Sequence, residues 1–588
     1  MRQPSMVKVL GICLSLVLVA CVHQNKSQTS HEATGNRFIV STQGEATTRA
    51  ARDMLLRGGN VIDAAVAASF VISVERPQST GIAGGGFMMV HFAKTSEDIA
   101  LDFREVAPKA ASEKMFQNNK GEVIAGRSTD GALAVGVPGT VAGLLDIHKR
   151  YGKLPLETVM QPAIDLAMRG FPVYPHLAKA LADRKQILFQ STEARRVFFN
   201  PDGDVLKLGS MLKQANLAKV LREIAAKGRD GFYRGWVADA IVAEQKRLGG
   251  LITREDLRRY VPTYRQPVRG RFAGYEVLSM PPPSSGGAHV IEILNMLEGF
   301  PLKNQGMMSP LSIHQTSAAM QLAFFDRAKY LGDSDFVKVP LRALTSDEYA
   351  DARRKLINPA KAMRIMDVTA TDPAGYESSE TTHFSIADSE GNVVSSTQTI
   401  NGWFGSGLVV PGTGVVLNNE MDDFSAKPGV PNKFGVIGGS ANANAIAPAK
   451  RPLSSMSPTI VTKNGKAILA LGSPSGSQII NCVVHTILNY LTYDLSLWES
   501  VTRQRYHHQW TPDEILVESP GFAPDVQTKL EAMGYHIRTG DIGCKVQAIA
   551  FEDGQLRGVS DPRGEGMAAS EAAPIAAKAK SEEAVTRD

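Results

Sequence analysis

Two adjacent threonines, Thr381 and Thr382, open the stretch TTHFSIADSEGNVVSSTQTING at residues 381–402. A threonine hydroxyl attacks a carbonyl only when a base takes its proton, so its neighbours decide whether it can react. The turn signal Asp388-Ser389-Glu390-Gly391-Asn392 suggests a hairpin with a three-residue loop and a glycine bulge. Pairing Asp388 with Asn392 sets Ser385 opposite Ser395, His383 opposite Thr397 and Thr381 opposite Thr399. Opposed side chains share a face, with Cβ atoms about 5 Å apart. Asn401 falls on that face too, so Thr381, Thr399 and Asn401 form one polar patch at the open end. A bulge could slip the register by one residue, and a solvated polar sheet face would look the same.

Other familiar chemistry is missing. There is no G-x-x-x-x-G-K-[ST], no G-x-S-x-G and no H-E-x-x-H; GSPSG at 472–476 has the wrong spacing for a nucleophile elbow. His507-His508 are neighbours on a strand, point to opposite faces and read as structural. No CxxC pair suggests a cysteine zinc site. The 588 residues carry a net charge of +5 with no long basic run, which argues against a nucleic-acid partner.

The elements that must position the patch are legible in part. FIVST at 38–42 reads as a strand, and residues 46–57 as a helix stopped by Gly58-Gly59. Asn60, with Asp63 three residues on, reads as the N-cap of a second, very apolar helix. Residues 130–270 look mainly helical, YEVLSM reads as a strand before the turn-rich PPPSSGG, and strands dominate from 381 to about 475. A helix is expected near 477–492. The polar stretch 366–380 reads as a surface loop, and the tail 567–588 as disordered.

The chain begins with a positive head and an apolar run from Val9 to Ala20, too short for a good membrane span and similar to a secretory signal. It ends in Leu-Val-Ala-Cys21, which resembles a bacterial lipobox, so residues 1–20 read as a signal peptide and 21–36 as a tether lipidated on Cys21. An exported chain on a lipid anchor, periplasmic or at the cell surface, is the expectation. Cys482 and Cys544 permit one disulfide without requiring it.

LDFREVAP, VPGTVAG, YEVLSMPPPSSGG, TTHFS, NNEMDDFSAKPGVPN, RPLSSMSPTI, GSPSGS and RYHHQW together resemble the γ-glutamyltransferase (γ-glutamyltranspeptidase) family of N-terminal-nucleophile hydrolases, from about residue 37 to 565. The resemblance implies an α+β fold, a four-layer αββα sandwich with two central antiparallel sheets between helices. It implies a precursor that cuts itself between Glu380 and Thr381 into a large subunit, 37–380, and a small catalytic one, 381–588. The new α-amine of Thr381, with a reference pKa of about 8, would serve as base to its own hydroxyl. β-branching helps hold the oxygen in place.

The resemblance also assigns partners to the nucleophile. Thr399 would orient Thr381. Arg104, Ser454 and Ser455 would hold the α-carboxylate of a γ-glutamyl donor, and Asp423, Asn401 and Glu420 its α-ammonium. The backbone N–H groups of Ser475 and Gly476 would form the oxyanion hole, although the family pattern there is GSPGG. Phe434 stands at the tip of a lid loop, KPGVPNKFGVIGG, where many bacterial members have tyrosine. The implied activity is glutathione hydrolysis and γ-glutamyl transfer to amino-acid or peptide acceptors, with no cofactor. A related acylase with another donor, or a non-catalytic surface lipoprotein of the same fold, are the alternatives.

Overall fold

The hairpin around Gly391 forms in the expected register. In the computed structural model, which describes residues 30–364, 381–439 and 442–572, strands Thr382–Asp388 and Val393–Thr399 pair with His383 opposite Thr397 and Ser385 opposite Ser395. Asp388 N–H donates to Asn392 O at 3.1 Å, and Gly391, at φ 90°, supplies the left-handed residue of the turn.

This hairpin is the middle of a seven-stranded antiparallel sheet. Its order is Met567–Ser570, Phe38–Thr42, Thr382–Asp388, Val393–Thr399, Gly85–Phe92, Glu97–Asp102 and Thr263–Arg265. A second antiparallel sheet runs Glu32–Gly35, Gln555–Ser560, Gln547–Glu552, Lys466–Gly472, Thr459–Lys463, Tyr275–Ser279 and Val268–Phe272. Each sheet contains neighbouring strands from both sides of residue 380. Separating the two segments would therefore tear open both ladders.

The sheets lie face to face. Ser385 Oγ donates to Gln547 O at 3.1 Å and Ser395 Oγ to Leu471 O at 3.0 Å. The face carrying His383, Ser385, Ser395 and Thr397 is thus buried between sheets rather than solvated. Its polar atoms are matched by hydrogen bonds, as burial demands. Phe384, Ile386 and Val394 point the other way, into a core with the helices Glu45–Leu56 and Val61–Glu75. On the far side, helices Gly286–Glu298 and Gln478–Leu491 cover the second sheet. The αββα sandwich follows.

Local rules explain several elements. Asn60 accepts from Asp63 N–H while Asp63 accepts from Asn60 N–H, a complete capping box at the start of Val61–Glu75. Every residue of that helix is buried, so an apolar sequence without a polar face is what the position requires.

Three expectations need correction. Residues 32–35, placed in the tether, form the edge strand of the second sheet by pairing with residues 556–559. Residues 567–570, placed in the tail, pair with Phe38–Thr42. Short strands at chain ends lack a pattern of their own and are fixed by their partners. Among the described residues between about 403 and 458 the chain is mostly turns, with two-residue strands at Val409–Val410 and Val415–Val416 and a short 3-10 turn at Glu420–Asp423. The signal segment, Cys21, the loop 366–380 with Glu380, and residues 573–588 lie outside the described residues. Among the described residues no helix is long and apolar enough to cross a membrane.

Candidate active site

Thr381 sits just before its strand, 5% exposed, and the register carries on to set it opposite Thr399. Thr399 Oγ1 accepts the N–H of Asn401 at 2.8 Å. A backbone N–H only donates, so the hydroxyl hydrogen of Thr399 is left for another acceptor on the Thr381 face. Asn401 takes φ 69°, a conformation asparagine tolerates, and its Nδ2 donates to Asn419 O at 3.0 Å. The three residues of the polar patch line one small cavity.

Charge enters this cavity from two directions. Arg104, 1% exposed, follows the strand Glu97–Asp102 and donates to Glu420 and to Asp423. Its Nε donates to Pro452 O at 3.2 Å, and its carbonyl accepts from Tyr260. Burial works against its charge, but Glu420 and Asp423 outweigh this and hold its pKa above the ordinary value. Two residues assigned to opposite ends of a substrate are thus ion-paired with each other. Glu105 and Glu420 are buried side by side, and burial pushes both carboxyls up, Glu105 to about 7. Two like charges this close favour keeping a proton between them.

Ser454 and Ser455 line the same cavity. Ser454 Oγ accepts Met456 N–H at 3.1 Å. Gly476 forms part of the wall, at φ 51°, and a Cβ there would stand 2.5 Å from the Phe434 ring. Only glycine lets the ring lie this close. The Phe434 loop is a tight turn whose N–H groups at Phe434 and Val436 donate to Asn432 Oδ1, at 3.0 and 3.1 Å. Lys433 N–H donates to Asp422 Oδ2 at 2.9 Å. Of the two adjacent aspartates, Asp423 faces the cavity and Asp422 ties down its cover.

Ser475 does not line the cavity. It takes φ 112°, in the region that favours glycine, and turns its side chain away to donate to Ile542 O at 2.6 Å. The serine therefore does not crowd the site. The segment carrying Ile542 is itself fixed: Cys544 is disulfide-bonded to Cys482 in helix Gln478–Leu491, and Lys545 N–H donates to Ser473 Oγ at 3.2 Å. Among the described residues the backbone N–H groups of Ser475 and Gly476 have no acceptor. Gly476 shares the cavity wall with Thr381, and a free backbone N–H there can bind an oxygen that gains negative charge.

A substitution test follows from Ser475. Strain at a non-glycine residue of this conformation is about 1–3 kcal/mol, and a buried hydrogen bond offsets about 0.5–1.5 kcal/mol of it. Ser475→Ala keeps the strain and loses the bond, whereas Ser475→Gly loses both. The thermal unfolding midpoint is expected to fall further for Ser475→Ala than for Ser475→Gly, the reverse of the usual order for these two residues. Equal midpoints, or a lower one for glycine, would show that the backbone there is not strained.

The sequence reading missed four contributors. Arg327 and Asn432 line the cavity, Glu105 lies beneath Arg104, and Asp422 anchors the cover. Arg327 sits within a long buried helix, where one arginine carries no motif of its own. His507 lies between Asn481 and Gln509, and His508 Nδ1 accepts Trp510 N–H at 3.1 Å.

A four-layer sandwich with a threonine at a central strand start, on a cavity walled by Gly476 and a fork of buried charge, is the arrangement of an N-terminal-nucleophile amidohydrolase. The chain belongs to the Gamma-glutamyltranspeptidase family, whose profile matches residues 47–571. It is 44% identical over 534 residues to a glutathione hydrolase proenzyme of Escherichia coli (strain K12), covering 91% of each chain. A cephalosporin acylase structure from Bacillus halodurans superposes with TM-score 0.81 at 28% identity, over 97% of this chain and 99% of that one. A Helicobacter pylori gamma-glutamyltranspeptidase chain, 40% identical, gives TM-score 0.53 and covers 54% of this chain and 91% of its own length.

Proposed function

We propose that the protein is a self-cleaving γ-glutamyltransferase and glutathione hydrolase with Thr381 as its nucleophile. The observation that carries this reading is the cavity itself, where Thr381 and Thr399 face Arg104, Asp423, Ser454 and Ser455. Cleavage of the Glu380–Thr381 bond frees the Thr381 amine. That amine takes the hydroxyl proton as Oγ1 attacks the γ-carbonyl of the donor, and the oxyanion rests on the N–H groups of Ser475 and Gly476. The proton passes to the departing amine, and the carbon–nitrogen bond breaks to leave a γ-glutamyl ester on Thr381. Water then gives glutamate, and an amino acid or peptide gives a new γ-glutamyl amide.

Recognition is of a zwitterion. Arg104, Ser454 and Ser455 take the α-carboxylate, since a guanidinium fork and hydroxyls suit two oxygens. Asp423, with Glu420 and Asn401, takes the α-ammonium. A related acylase would use the same nucleophile, as the likeness to the B. halodurans enzyme indicates. The buried Arg104–Asp423 pair and the Phe434 cover favour a small zwitterionic donor over a bulky acyl group.

The division into subunits at residues 37–380 and 381–588 draws support from the H. pylori chain, which matches 54% of this sequence over nearly all of its own length. The Cys482–Cys544 disulfide suits a chain exported from the reducing cytoplasm. Anchoring through a lipidated Cys21 completes the reading. Wild-type protein should run on a denaturing gel as fragments of roughly two-thirds and one-third of the chain and release nitroaniline from γ-glutamyl-p-nitroanilide. A single intact band with no turnover would overturn it. Failure of wild-type protein to incorporate labelled lipid would overturn the anchor alone.

A further inference from the structure

Arg327 reaches the cavity from helix Pro310–Tyr330 and is 5% exposed. Its Nε donates to Ser285 Oγ at 3.0 Å and its Nη2 to Ser455 Oγ at 3.3 Å. Asp423 is the carboxylate whose charge favours it, but Asp423 already bonds Arg104. Burial lowers its pKa to about 10, which leaves it charged at neutral pH. A buried charge fixed on two serine hydroxyls, rather than on a carboxylate of its own, calls for an explanation.

The direction of those bonds supplies one. A guanidinium has donors and no acceptor, whereas a hydroxyl has one hydrogen and two lone pairs. Ser285 Oγ, accepting from Arg327, passes its own hydrogen to Ser454 O at 2.8 Å. Ser455 Oγ, also accepting from Arg327, has no protein acceptor for its hydrogen among the described residues. That hydrogen is left to donate into the cavity. Ser454 is in the same state, with its Oγ accepting from Met456 N–H. Two neighbouring hydroxyls forced to act as donors suit a ligand group that only accepts, which a carboxylate is.

The PPPSSGG loop at 281–287 is the mount for this pair. Ser454 N–H donates to Pro283 O at 2.9 Å, Ser285 N–H to Ser454 O at 2.8 Å, and Ser284 Oγ to Met456 O at 2.7 Å. A Cβ on Gly286 would meet Ser457 Oγ at 2.2 Å, so glycine permits the close approach of the two segments. We propose that Arg327 is a positioning residue that fixes Ser455 as a hydrogen-bond donor, so that the site selects donors bearing a free α-carboxylate. This rests on the γ-glutamyl reading above, and it assigns to the segment before residue 380 a second guanidinium besides Arg104.

The test uses the cut, full-length enzyme with γ-glutamyl-p-nitroanilide as donor and glutamate as competitive inhibitor. Arg327→Gln should raise KM and the glutamate inhibition constant together, by about 10- to 30-fold for a lost charged hydrogen bond, with kcat within about threefold. Ser455→Ala should do the same, and the double variant should be little worse than either single one, because both break one chain of bonds. Arg327→Lys, which can still donate to Ser455 but cannot fork to Ser285, should recover part of the loss. If Arg327→Gln does not give cut enzyme, Arg327→Lys with and without Ser455→Ala carries the same comparison.

A fall in kcat with KM and inhibition unchanged would overturn the proposal, as would effects that multiply in the double variant. Wild-type protein that neither cuts nor turns over the anilide would instead overturn the function reading, before any variant is compared.

Discussion

Thr381→Ala should run as one uncut chain and lose at least about 10,000-fold of γ-glutamyl-anilide turnover, the scale seen when a covalent nucleophile is removed. Two steps fail together. The hydroxyl that would attack the Glu380–Thr381 carbonyl is gone, so no α-amine is freed. Without that amine, no base stands beside the position of the nucleophile. Thr381→Ser separates these effects. Serine keeps the hydroxyl, so the chain should still divide. It lacks the methyl that restricts the rotamer, so turnover should fall more modestly. The gel and the anilide assay read both outcomes. Alanine-substituted protein that still divides before residue 381, or still turns over the donor, would remove Thr381 from the chemistry. The divided wild-type chains should stay associated without a covalent link, because both segments contribute hydrogen-bonded neighbouring strands to both sheets.

The second large effect is expected at Arg104. Its guanidinium is buried and spans Glu420 and Asp423, with Glu105 beneath. Arg104→Met leaves carboxylates buried without their counter-charge and removes the partner of the substrate carboxylate. Truncating one member of a buried charge pair costs about 2–5 kcal/mol, so kcat/KM for γ-glutamyl-p-nitroanilide should fall about 30- to 3,000-fold. Arg104→Lys should recover little of this. An ammonium is a point charge and cannot hold two carboxylates and Pro452 O in one plane. Two bands on a gel would confirm that the variant folds and divides. A kcat/KM within about threefold of wild type in Arg104→Met would sink the assignment.

The two effects differ in kind. On the proposed reading Thr381 would act through bonds made and broken, so its loss should appear in kcat and in the gel. On the same reading Arg104 would act through a buried charge, so its loss should appear mainly in donor binding. Burial pushes the Glu105 and Glu420 carboxyls up, which lessens the negative charge around Arg104 and Asp423.

Much of this was legible in the residues. The hairpin register came from a turn signal and the two-residue strand period, which fix opposed pairs without tertiary information. The helix from Val61 was set by its Asn60 cap, and the unbroken apolar run marked it as buried. The resemblance named Arg104, Asp423 and the serine pair because those motifs are long and specific.

Tertiary structure decided the rest. The strands at 32–35 and 567–570 are too short to carry a pattern and exist because partners 500 or more residues away complete their ladders. The polar hairpin face looked solvated by composition, yet it lies between two sheets because the second sheet supplies acceptors at Gln547 and Leu471. Arg327, Ser285 and Ser455 are far apart in the chain, and no spacing rule links them. Ser475 stands where the family pattern has glycine, and the direction of its side chain depends on Ile542, brought near by packing and by the Cys482–Cys544 bond. The sequence by itself determined the strand pairing that sets Thr381 opposite Thr399, since a turn signal and a period of two are local in the chain. Only the tertiary structure decided which buried charges and hydroxyls face Thr381, since hydrogen-bond direction depends on groups that folding brings together.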